Sequence, residues 1–302
     1  MSVTRAYVTG RHGQLHLRRS GPDATTGGAQ GALSRSPLAC FHMSPMSGRI
    51  YRHFLGEMGR DRLALAFDTP GFGMSDAPAS PPTVEDYAAD MLAALDALGV
   101  TQPCDLLGYH TGSLIAVALA RLAPTRIRRV LMVSAPIFPE EELARFRSHY
   151  GHREPDADGA HLVRLWKSFV YHHQRPGESL AGVADIFPEA LLGRELEWWG
   201  HRAAFSYDLA AGLAGLTQPV LILNPGDDLD VQTRRAAGLA PRSMILEVPG
   251  WGHGFLDRQT DEAAALARSF FDAADDAPFA AVRVPTSADA PRYPARVGSF
   301  AP

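Results

Sequence analysis

The sequence is short of cysteine. Cys40 and Cys104 are the only two in 302 residues. Two cysteines make no disulfide framework, and their spacing fits no metal motif. Both fall in apolar segments and read as small buried side chains. An excess of one charge is also lacking: 29 Lys and Arg stand against 33 Asp and Glu, a net charge of −4. Such a balance gives no reason to expect nucleic acid or an anionic membrane surface as partner. No apolar run reaches the roughly 20 residues that span a bilayer. The opening Met-Ser-Val-Thr-Arg-Ala-Tyr has no apolar stretch before a small-residue cleavage site, so a cytoplasmic location is the default expectation. There is no G-x-G-x-x-G after a first strand and no phosphate loop with its Lys. Nicotinamide, flavin and nucleotide cofactors are therefore not expected, and no internal repeat is visible.

What is present is ordinary globular composition, with 46% hydrophobic residues. The length suits one sizeable α/β domain with an insertion, or two small domains. Residues 3–20 read as a hairpin around a Gly-containing turn, and residues 21–36 as a loop. Leu38–Phe41, Arg62–Phe67, Asp105–Leu107 and Arg129–Val133 read as short buried strands alternating with helices. Thr83, with Asp86 three residues on, offers an N-cap for a helix running to Leu98. This alternation predicts a mostly parallel central sheet flanked by helices.

The rhythm breaks over 138–215, which is helical in pattern and rich in aromatic and histidine side chains. It resumes with a strand at Pro219–Leu223, a helix at Asp230–Leu239, a strand at Ser243–Val248 and a helix at Thr260–Ala274. The expected organisation is a core of 1–137 and 216–274, a helical cap of 138–215, and a flexible Pro/Ala-rich tail of 275–302.

The segment that organises the chain is 103–118, Pro-Cys-Asp-Leu-Leu-Gly-Tyr-His-Thr-Gly-Ser-Leu-Ile-Ala-Val-Ala. An apolar run leads to Gly108, and a helical run follows Gly112. Two glycines flanking one residue at a distance of two suit a sharp strand-to-helix turn whose central residue has positive φ. That residue is His110, and the turn pushes it toward a pocket.

Five stretches in order resemble the alpha/beta-hydrolase superfamily, in its small-molecule branch with a helical cap. They are His42-Met43, Asp68-Thr-Pro-Gly-Phe-Gly-Met-Ser75, the Gly108–Gly112 turn, Leu221-Ile-Leu-Asn-Pro-Gly-Asp-Asp and Gly252-His253-Gly-Phe. The resemblance covers about residues 3–273 and implies an alpha/beta-hydrolase fold. It places Asp227 at the family's triad acid, with Asp228 and Asp230 as alternatives, and His253 at its triad base, in the family's chain order. It implies an oxyanion hole from the backbone N–H of Thr111 and of Ser44, with Met43 a less direct contributor. Two departures stand out: His110 occupies the place of the nucleophilic serine, and Met43 replaces the glycine of the family's His-Gly.

These residues leave several chemistries open. His110 reads as a nucleophile, as an acid or base working with His253, as a polar binder, or as a relic. Thr111 and Ser113 read as poor substitutes for the serine. Ser134, at a strand end, and the cap residues Trp166, Trp199 and His201 are candidate pocket residues for a small, partly apolar substrate. The cap histidines give no three convergent ligands, so no metal site is expected. The expected activity is hydrolysis of an ester, a lactone or an activated C–C bond. Attack comes from water assisted by His and Asp, or from a histidine nucleophile. The alternatives are a cofactor-independent lyase, decarboxylase or oxygenase with a His–Asp base, and a non-catalytic small-molecule binding protein. A homodimer is the commonest prior for a soluble oligomer.

Overall fold

The computed structural model describes residues 1–22, 35–174 and 179–284, apart from the Arg194 side chain. Two antiparallel strands open the chain, β1 (Thr4–Gly10) and β2 (Gly13–Ser20). Next come β3 (Leu38–Phe41), α1 (Arg52–Met58), β4 (Ala64–Phe67), α2 (Val84–Ala97), β5 (Cys104–Tyr109), α3 (Thr111–Leu122) and β6 (Ile127–Val133). Five helices lie between β6 and the next strand: α4 (Glu140–His149), α5 (Ala160–His173), α6 (Leu180–Leu191), α7 (Trp198–Ser206) and α8 (Leu209–Ala214). The chain then forms β7 (Val220–Asn224), α9 (Asp230–Arg234), β8 (Ser243–Glu247), α10 (Phe255–Arg258) and α11 (Thr260–Phe271).

The strands form one eight-stranded sheet in the order β1-β2-β4-β3-β5-β6-β7-β8. The β1–β2 and β2–β4 pairs are antiparallel, and every pair from β4–β3 to β7–β8 is parallel. The fold is therefore α/β, with a mostly parallel sheet, helices on both faces and a helical cap inserted between β6 and β7. The central strands β3, β4, β5 and β7 are buried along their whole length, which is why they read as continuous apolar runs rather than as alternation. No helix among the described residues is long and apolar enough to cross a membrane.

Local chemistry explains several boundaries. The Thr83 side chain accepts from the Asp86 N–H while the Asp86 carboxylate accepts from the Thr83 N–H, a closed capping box that starts α2. Asp68 accepts from the N–H groups of Gly48 and Met74 and bonds His16, so the Asp-Thr-Pro-Gly-Phe-Gly-Met-Ser loop is a structural brace. Ser75 serves the same brace, donating to the Asp68 carbonyl at 2.7 Å.

Two expectations need correction. The helix after β7 ends at Arg234 rather than Leu239, with turns up to the positive-φ Gly238. The tail is not loose throughout: Phe279 stacks on Phe270 at 5.7 Å and Val282 is buried. Only 285–302 of that tail, and 23–34 of the expected loop, lie outside the described residues.

The turn between β5 and α3 is the tightest packing point. A Cβ on Gly108 would lie 2.2 Å from the Gly112 carbonyl oxygen, and one on Gly112 would lie 2.0 Å from that of Phe41. Both obstacles are backbone and cannot swing away. Gly112→Ala is expected to destabilise the protein by about 3 kcal/mol, the upper range for overpacking. Urea denaturation checks this, and an unchanged midpoint would contradict the packing described.

Candidate active site

The site lies where β5, β6, β7 and β8 end at their carboxyl edges, the usual ligand edge of an open α/β sheet. His110 follows β5 with φ 49° and ψ −111°. For a non-glycine residue such a conformation costs about 1–3 kcal/mol and persists only where the surroundings enforce it. The enforcement is visible: the His110 N–H donates to the Val133 carbonyl, and the Ser113 N–H to the His110 carbonyl. Cys104 opens β5 at its other end, buried, with its thiol pushed up to about 12 by burial.

Two carboxylates meet two imidazoles here. His110 Nε2 lies 2.8 Å from Asp227 Oδ2, and His253 Nε2 lies 2.7 Å from Asp228 Oδ1. The pairing differs from the sequence expectation, which joined Asp227 to His253. The reason lies in the sheet order. β7 runs between β6 and β8, and consecutive residues of the loop after it face opposite neighbours. The Leu229 N–H holds Asp227 Oδ1 at 2.9 Å and turns that carboxylate toward β5 and β6. Asp228 faces the β8 side, where His253 stands. Asp228, which the sequence offered only as an alternative acid for His253, is the one that holds it. The signal was the doublet itself: two adjacent acids at a strand end, with two histidines to hold.

Ser134 completes the Asp227 side. It is fully buried at φ 64° and donates to Asp227 Oδ2 at 2.8 Å. Its hydroxyl thus orients the acid and does not line the pocket, contrary to expectation. A carboxylate oxygen that also accepts from Ser134 takes the His110 contact as an N–H donation from Nε2. Asp227 is kept ionised: burial alone would raise its pKa, and the charge and hydrogen bond of His110 more than reverse this. Asp228 is held well below the usual carboxylate range, since its hydrogen bond to His253 and the nearby histidines outweigh burial. For His253, burial alone would lower the pKa; the bond to Asp228 and the charges of both carboxylates raise it instead. The His110 and His253 rings stand 5.1 Å apart, edge to face.

A cavity of about 400 Å³ opens above, lined by His110, Thr111, Asp227, Asp228, Phe138, Phe146, Tyr150, His201 and Phe205 among others. Its wall is aromatic: Phe138 meets Phe146 edge to face at 4.9 Å, Phe146 stacks on Phe205 at 5.0 Å, and Tyr150 stacks on His201 at 4.5 Å. A second cavity of about 230 Å³ shares Ser44, His110, Tyr150, His172, His201 and Asp228 with the first, and adds Met43, His173 and His253. Burial pulls His201 down to about 4, so this ring is neutral.

Of the expected pocket residues, His201 lines both cavities, while Trp166 and Trp199 line neither. Trp166 packs on Phe187 at 5.0 Å, and Trp199 is buried in the core cluster that includes α3. Periodicity alone does not separate cap core from cap lining. Thr111 and Ser44 face the cavities, with Met43 beside Ser44. Their loop is pinned by buried His42, which bonds the Met43 carbonyl through Nδ1 at 2.9 Å and takes the Thr69 N–H on Nε2 at 3.0 Å. Ser113 is buried and donates to the Gly108 carbonyl at 2.9 Å, which removes it as a nucleophile. Nitrogen and oxygen atoms of His110, Asp227, Asp228 and His253 all lie within 4.8 Å of one another. The convergent donors thus come from three loops of the core, not from the cap histidines considered in the sequence.

The His253–Asp228 pair gives stability a defined pH window. The raised His253 pKa adds stability that is complete below its unfolded value of about 6.5 and is lost as pH rises through the folded value. The lowered Asp228 pKa adds stability above its unfolded value of about 3.9 and loses it as pH falls through the folded value. Asp228→Asn is therefore expected to cost most between about pH 4 and 6.5. Denaturant midpoints of both proteins across pH test this, and a pH-independent difference would contradict the pairing.

Comparison with known proteins agrees with this fold. Residues 45–257 match the family described as alpha/beta hydrolase fold. The chain is similar to a putative carbamate hydrolase of Caulobacter segnis, with 27% identity over 205 residues, 63% of this chain and 74% of that one. It is similar to the 2-hydroxymuconate semialdehyde hydrolase of a Pseudomonas species, with 41% identity over 95 residues, 30% of this chain and 33% of that one. Among solved structures it resembles an esterase from Rhodococcus (TM-score 0.71, 23% identity, 90% and 99% of the two chains covered). It also resembles the enol-lactonase from Burkholderia xenovorans (TM-score 0.71, 19% identity, 89% and 100% covered). By the span of the family match and by its architecture, the chain belongs to the alpha/beta hydrolase fold family.

Proposed function

We propose that the protein hydrolyses an ester, a lactone or an activated C–C bond in a small, partly apolar molecule. In this reading His110 stands in the place the family gives to its nucleophilic serine, and water is the attacking group. The observation that carries the reading is the pair of imidazoles, each held by its own carboxylate, facing one another on the cavity floor. The curated relatives whose names describe hydrolases of small molecules support it. The aromatic wall supports a flat or apolar substrate body rather than a polymer.

The chemistry follows from the tautomers. His110 donates its Nε2–H to Asp227 and keeps a lone pair on Nδ1 to take a proton from water. As the O–H bond breaks, the water oxygen bonds to the substrate carbonyl carbon. Charge develops on the carbonyl oxygen, where the Thr111 and Ser44 N–H groups are the candidate donors. One such donor is worth about 3 kcal/mol in a known case. His253, whose pKa is raised by its bond to Asp228, stands beside it on the same floor. Collapse breaks the bond to the leaving group, which takes up the proton that His110 received, so one water is added overall.

A second reading draws on the same floor. Ser113 and Ser134 are buried and committed to other partners, so neither offers a nucleophile. Two imidazole–carboxylate pairs without a nucleophilic serine also suit proton removal from carbon, as in a lyase or decarboxylase of this fold.

A panel of small esters and lactones tests the proposal. His110→Ala is expected to lower kcat/KM by roughly 10²–10⁴-fold, the usual worth of a general base. Intact-protein mass spectrometry after acid quench is expected to show no acyl-enzyme. Trapping of an acyl group on His110 would replace the water mechanism with a nucleophilic one. Full activity of His110→Ala would end the proposal.

A further inference from the structure

We propose that His110, Asp227, Asp228 and His253 form a binding site for one divalent first-row cation of the zinc type. The inference rests on the hydrolytic reading in that it uses the same four side chains, and it names a cofactor for them. Their donor atoms, two nitrogens and two carboxylate oxygens, lie within 4.8 Å of one another. Zinc takes nitrogen at about 2.0–2.1 Å and oxygen at about 2.0–2.2 Å, so donors around one tetrahedral ion stand about 3.4 Å apart. The two hydrogen-bonded pairs, now at 2.8 and 2.7 Å, need to open by only about 0.6 Å to meet that spacing.

Charge points the same way. Adjacent Asp227 and Asp228 put two negative charges in one place, each bonded to an imidazole. Two carboxylates with two neutral imidazoles carry a net −2, which one divalent cation balances. Ligation through Nε2 requires each ring to hold its proton on Nδ1 instead. In His253, which is 8% exposed, Nδ1 is buried with no hydrogen-bond partner among the described residues, so nothing there competes for the proton that Nε2 ligation would move to it.

The surroundings are those of a supported ligand set. Ser134 and the Leu229 N–H orient the two oxygens of Asp227, the kind of outer-shell bonding that fixes metal-binding carboxylates. Asp228 is half open to the cavity, and its second oxygen lies 3.9 Å from Nδ1 of His172 on the cap. That is too far for a hydrogen bond and leaves a side on which water or substrate can approach. Six of the chain's 12 histidines, His110, His149, His172, His173, His201 and His253, line one cavity. An ion held there would supply Lewis-acid and water-activating chemistry to the same floor.

Cobalt is the probe, because it reports its own coordination. Full-length protein is stripped by chelator dialysis and titrated with Co²⁺, and the visible ligand-field bands are followed. About one ion per chain is expected, with the intense bands of a four- or five-coordinate nitrogen–oxygen site. Asp228→Asn and His253→Gln are expected to abolish these bands. Ser134→Ala is expected to weaken binding about tenfold, as loss of an outer-shell contact does. His152→Ala, an exposed cap histidine bonded to Glu154, is expected to bind as the parent does. Circular dichroism confirms that each variant is folded, and the two single-site variants cover one another if one fails. No stoichiometric binding, or binding that survives both Asp228→Asn and His253→Gln, overturns the site. Ester hydrolysis by protein that binds no cobalt also overturns it while leaving the hydrolytic reading standing. Stoichiometric binding without hydrolysis of any ester or lactone upholds the site and removes that reading instead.

Discussion

The Asp227 carboxylate is the contact on which the site depends. It is buried at the end of β7, and its two oxygens take the Leu229 N–H, the Ser134 hydroxyl and the His110 imidazole. A buried charge without such partners would cost several kcal/mol. With them it stays ionised and fixes three chain segments at once. The partners come from β5, β6 and β7, so the carboxylate stitches together three neighbouring strand ends. It also fixes the tautomer of His110, and with it the atom that can accept a proton. The backbone strain at His110 and the positive φ of Ser134 are both found at residues this carboxylate holds.

The second pair answers a different need. Two adjacent carboxylates repel, and Asp228 is left half exposed beside a buried neighbour. His253 meets it with a hydrogen bond, and that bond together with the carboxylate charges raises the His253 pKa. The two rings then face each other 5.1 Å apart under a cavity whose wall is aromatic and whose floor is ionic. An apolar body is thereby directed to the wall and a reacting polar bond to the floor. Family membership alone would not separate these roles, because the fold hosts many chemistries and the role of each residue follows from the site.

Much of the fold was legible in the sequence because local signals and global packing agree. Strand-length apolar runs separated by helical periods fixed the parallel sheet. Thr83 and Asp86 marked a helix start, and two glycines around His110 marked the sharp turn. The site was legible as three loops but not as contacts. Pairing Asp227 with His253 failed because adjacent side chains after β7 diverge, and that divergence depends on the Leu229 N–H and on the neighbouring strands. Ser134 as an orienting group was invisible for the same reason: its partner is 93 residues away in the chain. Trp166 and Trp199 were misplaced because an aromatic side chain in a helical cap satisfies the same periodicity whether it faces the cap core or the pocket. The packed portion of the tail escaped because Phe279 and Val282 bury themselves without any repeating pattern.

The claim that each histidine is held by its own carboxylate is tested most directly by nitrogen-15 NMR of the ring atoms in chelator-stripped, histidine-labelled protein. The account predicts Nε2–H on His110, and it predicts that Asp227→Asn moves the His110 ring nitrogens while leaving those of His253 nearly in place. Asp228→Asn is predicted to do the reverse. If Asp227→Asn instead shifts His253, or if His110 carries its proton on Nδ1, the two-pair arrangement is wrong and a single Asp227–His253 dyad takes its place.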